Sequence, residues 1–379
     1  MKKTLRTIAV LALVAGFTVI PFAGAEAHPW RCQGSTPFHW ENPVGVKFEL
    51  KNVQFSGPAK KAIKDFNNKF GGVAKLASGG NQMTVVDGKE GDTGWAGLAK
   101  VKPDANCHLT HADVIYNSFY TSEASFAQGV FCQEIGHSFG LDHSDSGDCM
   151  GLGYFNSGTS NFSGHNATDL KQMYGHSHGA ALQGGEKFAG KTLLFAAWGF
   201  QPDSAAEIRA EADVIVEAEA VGSSPAAPLI TEDGIDIPMT EVTLEVDTAY
   251  EGASPGETIT VQQVGGEGSF LSEDPAYRDG QEYFLMLAEA EGDDLRIVSP
   301  DARYSLKADG TMAPTMETAI SSTVSGQSVS AFTGSLNLSP IQQKREFGGE
   351  GLTRILIIVG IVIIALAALA FGARKVLGR

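Results

Sequence analysis

Residues 132–143 read Cys132-Gln-Glu-Ile-Gly-His137-Ser-Phe-Gly-Leu-Asp-His143, and they constrain the chain more than any other stretch. Gln133 and His137 are one helical turn apart, so their side chains leave the same face and one ion fits between them. Glu134 sits beside that pair, placed to act as general base on a water held by the ion. Gly140 permits a sharp exit from the helix, which lets His143 swing back as a further ligand. Three protein ligands and one open position form the arrangement of a catalytic zinc. Any fold for this chain must therefore bring a helix, a tight turn and the loop beyond it to one point.

The run from Glu134 to His143 resembles the metzincin metallopeptidases, whose pattern is H-E-x-x-H-x-x-G-x-x-H followed by a Met-turn. Met150 stands at the Met-turn position, and its short interval from His143 is most similar to the matrixin branch. Gly91-Asp-Thr-Gly-Trp-Ala-Gly-Leu-Ala99 and Asn166-Ala-Thr-Asp-Leu170 extend the resemblance to a group of secreted bacterial matrixin-like proteins, over residues 40–175. It implies an α+β metzincin-like catalytic domain with a twisted sheet and long helices. It also implies a zinc ion held by His137 and His143, and hydrolysis of a protein or peptide substrate with Glu134 as the base.

The departure is Gln133, where the family has its first His. An amide oxygen is neutral and a weaker donor than an imidazole nitrogen. Three readings stand: Gln133 ligates through its oxygen, another group supplies the missing ligand, or the metal is lost. In the last case the chain is a catalytically inactive surface binding or adhesion protein on a peptidase fold. Among replacement donors, His108 and His111 are three apart on an extended segment and so face opposite ways, and at most one points inward. His28 is the expected new N-terminus, His165 reads as a loop residue, and His176 and His178 read as linker.

Composition narrows the partners. The 379 residues carry 28 basic and 44 acidic side chains, a net −16. A surface of that sign repels phosphate, so no nucleic-acid partner is expected. The excess is uneven: residues 28–175 hold 12 basic and 14 acidic side chains, and residues 176–351 hold 9 and 29. Lys2, Lys3 and Arg6, an apolar run over 8–20 and small residues up to Ala27 form the layout of a secretory signal. Residues 355–373 are an unbroken run of apolar or small residues followed by Arg374, Lys375 and Arg379. The run is just long enough to cross a bilayer, with the C-terminus cytoplasmic. The expectation is a single-pass cell-membrane protein with an exported N-terminal part.

Four cysteines fit an oxidising compartment. Of the three connectivities, Cys132 with Cys149 and Cys32 with Cys107 is favoured, the first bridge bracing the helix against the Met-turn. Pro29-Trp-Arg-Cys-Gln-Gly34 has a faint likeness to the inhibitory cysteine segment of matrixin propeptides. No propeptide-sized region precedes the domain, so a structural bridge is expected instead.

The acidic half alternates short Val-, Ile- and Thr-rich runs with Gly, Pro, Asp and Ser turns, the pattern of a small antiparallel barrel or sandwich. The expected organisation is a signal peptide over 1–27, a peptidase domain over 28–175 and a linker over 176–190. An acidic β domain, OB-like barrel or sandwich, follows over 191–320. A stalk over 321–351, a transmembrane helix over 352–373 and a cytoplasmic tail over 374–379 complete it. The function expected is zinc-dependent endopeptidase, with the inactive binding protein as the alternative.

Overall fold

The computed structural model describes residues 30–342 apart from 34–35, 145–146, 152–159, 176–187, 189, 267, 291–293 and 317. Apolar spacing and a Pro–Gly frame explain the first helix, α1 (Ser56–Phe70), which buries Ala59, Ala62, Ile63, Phe66 and Phe70 on one face and ends at Gly71. The motif helix is α2 (Ala124–His137), and a third, α3 (Gly164–Tyr174), follows it. The strands of the first half are β1 (Arg31–Gln33), β2 (Thr36–Pro37), β3 (Val44–Leu50), β4 (Lys75–Ser78), β5 (Met83–Gly88), β6 (Trp95–Pro103) and β7 (Leu109–Asn117).

Beyond residue 190 come β8 (Thr192–Trp198), α4 (Ala205–Ala210), β9 (Val214–Pro225), β10 (Leu229–Ile230), β11 (Asp236–Ile237) and β12 (Met239–Glu251). They are followed by β13 (Thr258–Val264), β14 (Ser269–Leu271), β15 (Glu282–Glu289), β16 (Leu295–Ile297), β17 (Arg303–Leu306) and β18 (Met312–Pro314). Two short helices, α5 (Ala319–Val324) and α6 (Val329–Ser335), end the described chain.

Two seven-stranded sheets organise these elements. The first runs β14-β8-β6-β7-β5-β3-β4, with β6 antiparallel to both β7 and β8. The second runs β16-β13-β12-β9-β15-β17-β18, and a further β15–β16 pairing closes five of its strands into a barrel. Side chains alternate across the first sheet as strand geometry requires. Val114 and Tyr116 pack with α1 and α2, whereas Ile115 between them packs toward the barrel. Val86, Trp95, Leu98 and Ile115 share one cluster with barrel residues and are all but fully buried. At about 1.5–3 kcal/mol for each such side chain, this contact is comparable with the whole stability of an ordinary domain. The sheet is thus the middle of three layers, with helices on one face and the barrel on the other.

This corrects the expected fold class, an α+β metzincin-like domain with long helices, a separate β domain and one C-terminal transmembrane helix. The protein is mostly β, 22% helical with six short helices among the described residues. The physical reason lies in the acidic half, which adds β8 and β14 to the first sheet and covers its second face. The single-pass membrane localisation is corrected as well: no helix among the described residues is long and apolar enough to cross a membrane. The signal peptide, the span over 352–373 and the tail lie outside the described residues, as do 176–187 and 189 of the linker. Part of the expected stalk is instead α5 and α6, whose Val324, Val329 and Phe332 are buried in the barrel cluster.

Two disulfides join Cys32 to Cys107 and Cys132 to Cys149, as suits an oxidising compartment. Ser163 is the N-cap of α3: its hydroxyl accepts from the amides of His165 and Asn166, while the Asn166 side chain accepts from the Ser163 amide. Ser163→Ala should cost about 1 kcal/mol in a denaturant titration, the usual value of a helix cap. An unchanged midpoint would show that the reciprocal pair adds nothing.

Candidate metal centre

The motif helix delivers its chemistry because its last turn is held from several sides. The Ser138 hydroxyl donates to the Glu134 carbonyl at 2.8 Å, and the Trp40 indole donates to the Ser138 carbonyl at 2.8 Å. Gly140 then takes a left-handed φ of 88°, and a Cβ there would stand 2.1 Å from the Phe38 carbonyl oxygen. Only glycine fits both demands. The turn brings the Leu141 carbonyl back onto His137 Nδ1 at 2.8 Å, and the rings of His137 and His143 come to 4.6 Å. Below, a Cβ on Gly136 would meet Met150 Sδ at 2.2 Å, so the missing side chain is what seats Met150. The Cys132–Cys149 bridge and the Asp148 carboxylate, which accepts from the Met150 amide at 2.8 Å, fix that segment under the helix.

The third donor comes from far along the chain. Glu273, just past β14, places Oε1 2.7 Å from His143 Nε2, while its Oε2 accepts from the Ala196 amide at 3.1 Å. His137, His143 and Glu273 each offer one donor atom, and those atoms lie within 4.8 Å of one another. Burial shapes their charge. It pushes His137 down to about 4, against a smaller opposite pull from the Leu141 carbonyl, and it pushes His143 well below its ordinary value with help from His137. Both rings are therefore neutral at physiological pH. The His137 Nδ1 proton is donated to Leu141, so Nε2 presents a lone pair, and that buried atom has no hydrogen-bond partner among the described residues.

Glu273 is raised well above the usual carboxylate range by burial, with Asp142 and Asp274 adding to the effect. It can then hold the proton shared with His143 Nε2, a proton that a cation at this point would replace. Glu134 is also raised well above the ordinary range, first by burial and then by Glu273. The amides of Ala197 and Ala99 approach it and oppose that rise, without closing a well-formed hydrogen bond to either oxygen. Gly97 leaves room for this carboxylate, since a Cβ there would come 2.7 Å from Glu134 Oε1.

Gln133 packs against His143: its side-chain nitrogen lies 3.2 Å from His143 Nδ1, behind the ring rather than beside Nε2. An amide has nearly the same outline in either orientation. With its oxygen toward the ring it accepts Nδ1–H and fixes the tautomer that presents Nε2 to a metal, the support that ligating histidines ordinarily receive. His108 lies 3.5 Å from Asp104, His111 2.8 Å from Asp113 and His165 3.3 Å from Asp169. None belongs to the donor group. His28, His176 and His178 lie outside the described residues. Glu273 escaped the sequence reading because nothing local marks it: it is one of 29 acidic residues in its half, and the only signal was the shortfall of one ligand.

Strand β8 closes the centre from above. The Phe195 ring stacks on His137 at 4.7 Å and 9°. Glu134, His137 and Glu273 are fully buried. No protein-family model matches the chain, and no curated protein matches its sequence.

Proposed function

We propose that this protein is a zinc-dependent hydrolase of peptide bonds, in which His137, His143 and Glu273 hold the metal and Glu134 is the general base. One observation carries the reading: two neutral imidazoles and a carboxyl group converge, and one of their atoms, His137 Nε2, is buried without a partner among the described residues. Two nitrogens and one oxygen suit zinc, and such a set leaves a fourth position open. When bound, the metal would acidify a water and polarise a scissile carbonyl. The chain's own residues supply the rest. Glu134 takes a proton and passes it to the leaving amine. His137 is oriented by Leu141, and His143 by Gln133. The resemblance of Glu134–His143 to the metzincin motif supports these roles.

Metal analysis of the purified chain, paired with cleavage of an unfolded protein, tests the reading. About one zinc per chain is expected. Glu134→Gln should keep that zinc and lose hydrolysis by about 100-fold or more, the scale of a general base. A chain that takes up no zinc would end the proposal. A second reading, a non-catalytic binding protein, is favoured by the burial of Glu134 behind β8.

A further inference from the structure

We infer that β8 is a built-in occupant of the sheet edge at which a peptide substrate would add, so that the chain as folded is a latent enzyme. The inference rests on the zinc-hydrolase reading and names its substrate class, an extended peptide. Extended peptides bind sheet edges by adding a strand, with main-chain hydrogen bonds for affinity. Of the strands flanking the motif helix, β6 runs antiparallel past Glu134, with Gly97 and Ala99 against it. Its outer edge is where such a peptide would lie. That edge is filled by β8, paired from Trp95↔Trp198 to Val101↔Leu193 with one register shift between Trp95 and Gly97.

The filling strand also engages the chemical groups. The Ala196 amide donates to Glu273, the Ala197 amide approaches Glu134, and the Phe195 ring lies flat over His137. A strand present only for sheet stability would need none of these three contacts. The segment reads Thr-Leu-Leu-Phe-Ala-Ala-Trp, uncharged and apolar, and Leu193, Leu194 and Phe195 are fully buried. On its outer side β14 pairs parallel with it, and the Ser272 amide donates to the Leu194 carbonyl at 3.1 Å. Two paired segments of the acidic half, β8 and the stretch after β14, thus supply the blocking strand and the third donor. Local release would expose three large apolar side chains together, so the open form is scarce.

The test uses the full chain in three forms: unaltered, Phe195→Ala and Leu194→Ser. Three quantities are read: bound zinc, the rate at which EDTA extracts it, and cleavage of a fluorescein-labelled unfolded protein. Expected is one zinc in each form, with extraction and cleavage at least about ten-fold faster in the variants than in the unaltered chain. If the unaltered chain cleaves as fast as the variants, latency is overturned while the hydrolase reading stands. If zinc is bound and extraction quickens but nothing is cleaved, both fall. If no form binds zinc, the metal reading falls and takes latency with it. Where the variants fail to fold, hydrogen exchange on the unaltered chain decides: the amides of β8 must be as protected as those of β5 and β7. Exchange about 100-fold faster in β8 would overturn the inference.

Discussion

Glu273→Ala should abolish stoichiometric zinc binding, while Gln133→Ala should weaken it by only about 10–100-fold, the range for partners that orient a ligand. The contrast follows from position. Glu273 Oε1 stands 2.7 Å from His143 Nε2, on the side of the ring that faces the donor group, whereas the Gln133 amide is against Nδ1 on the opposite side. Removing the carboxylate leaves two neutral imidazoles, and takes from the donor group the negative charge that offsets a dication in a largely buried place. Competition against a chromophoric chelator measures both variants on one scale. The reverse ranking, with Gln133→Ala losing zinc and Glu273→Ala keeping it, would return the third ligand to residue 133.

The largest loss of stability is expected at Arg303, which is 1% exposed. Its Nη1 lies 3.0 Å from Asp274 Oδ1, its Nη2 donates to the Pro275 carbonyl, and its guanidinium stacks 4.2 Å over Tyr277. Burial alone would lower its pKa, but Asp274 and the tyrosines outweigh that, and the group stays charged. The turn that follows Glu273 is wrapped around this one cation. Arg303→Ala leaves Asp274 buried and unpaired, a change that typically costs about 3–5 kcal/mol. Urea unfolding measures it. Removing both partners, as Arg303→Met with Asp274→Leu, should cost less than Arg303→Ala alone, because no charge is then stranded. A double variant as unstable as the sum of the singles would refute the pairing. Since the same turn carries Glu273, zinc affinity should fall in Arg303→Ala and recover in part in the double variant.

What could be read from the sequence was what local spacing determines. The apolar face of α1, the exit at Gly140, the convergence of His137 with His143 and the cysteine bridges all follow from residues close in sequence or from a short list of pairings. The fold as a whole was misjudged because the deciding contacts are remote. Nothing in Leu-Leu-Phe-Ala-Ala tells that β8 will join a sheet built from residues 44–117, and alternation in the acidic half does not say which surface its barrel will cover. Residue 133 was a legible anomaly. The carboxylate that the proposed centre uses in its place is one that only the tertiary structure brings near.

The separation of 130 residues between His143 and Glu273 also bears on how the molecule is made. Contacts so distant in sequence form late, after the local ones, since closing a long loop costs entropy before any contact offsets it. A ribosome releases both imidazoles well before the carboxylate exists, and β8 cannot be locked by β14 until that same stretch has emerged. On the proposed metal reading, loading of an ion would therefore be a late event in biogenesis, and a truncated product ending before residue 273 would carry two of the three donors and no means of completing them.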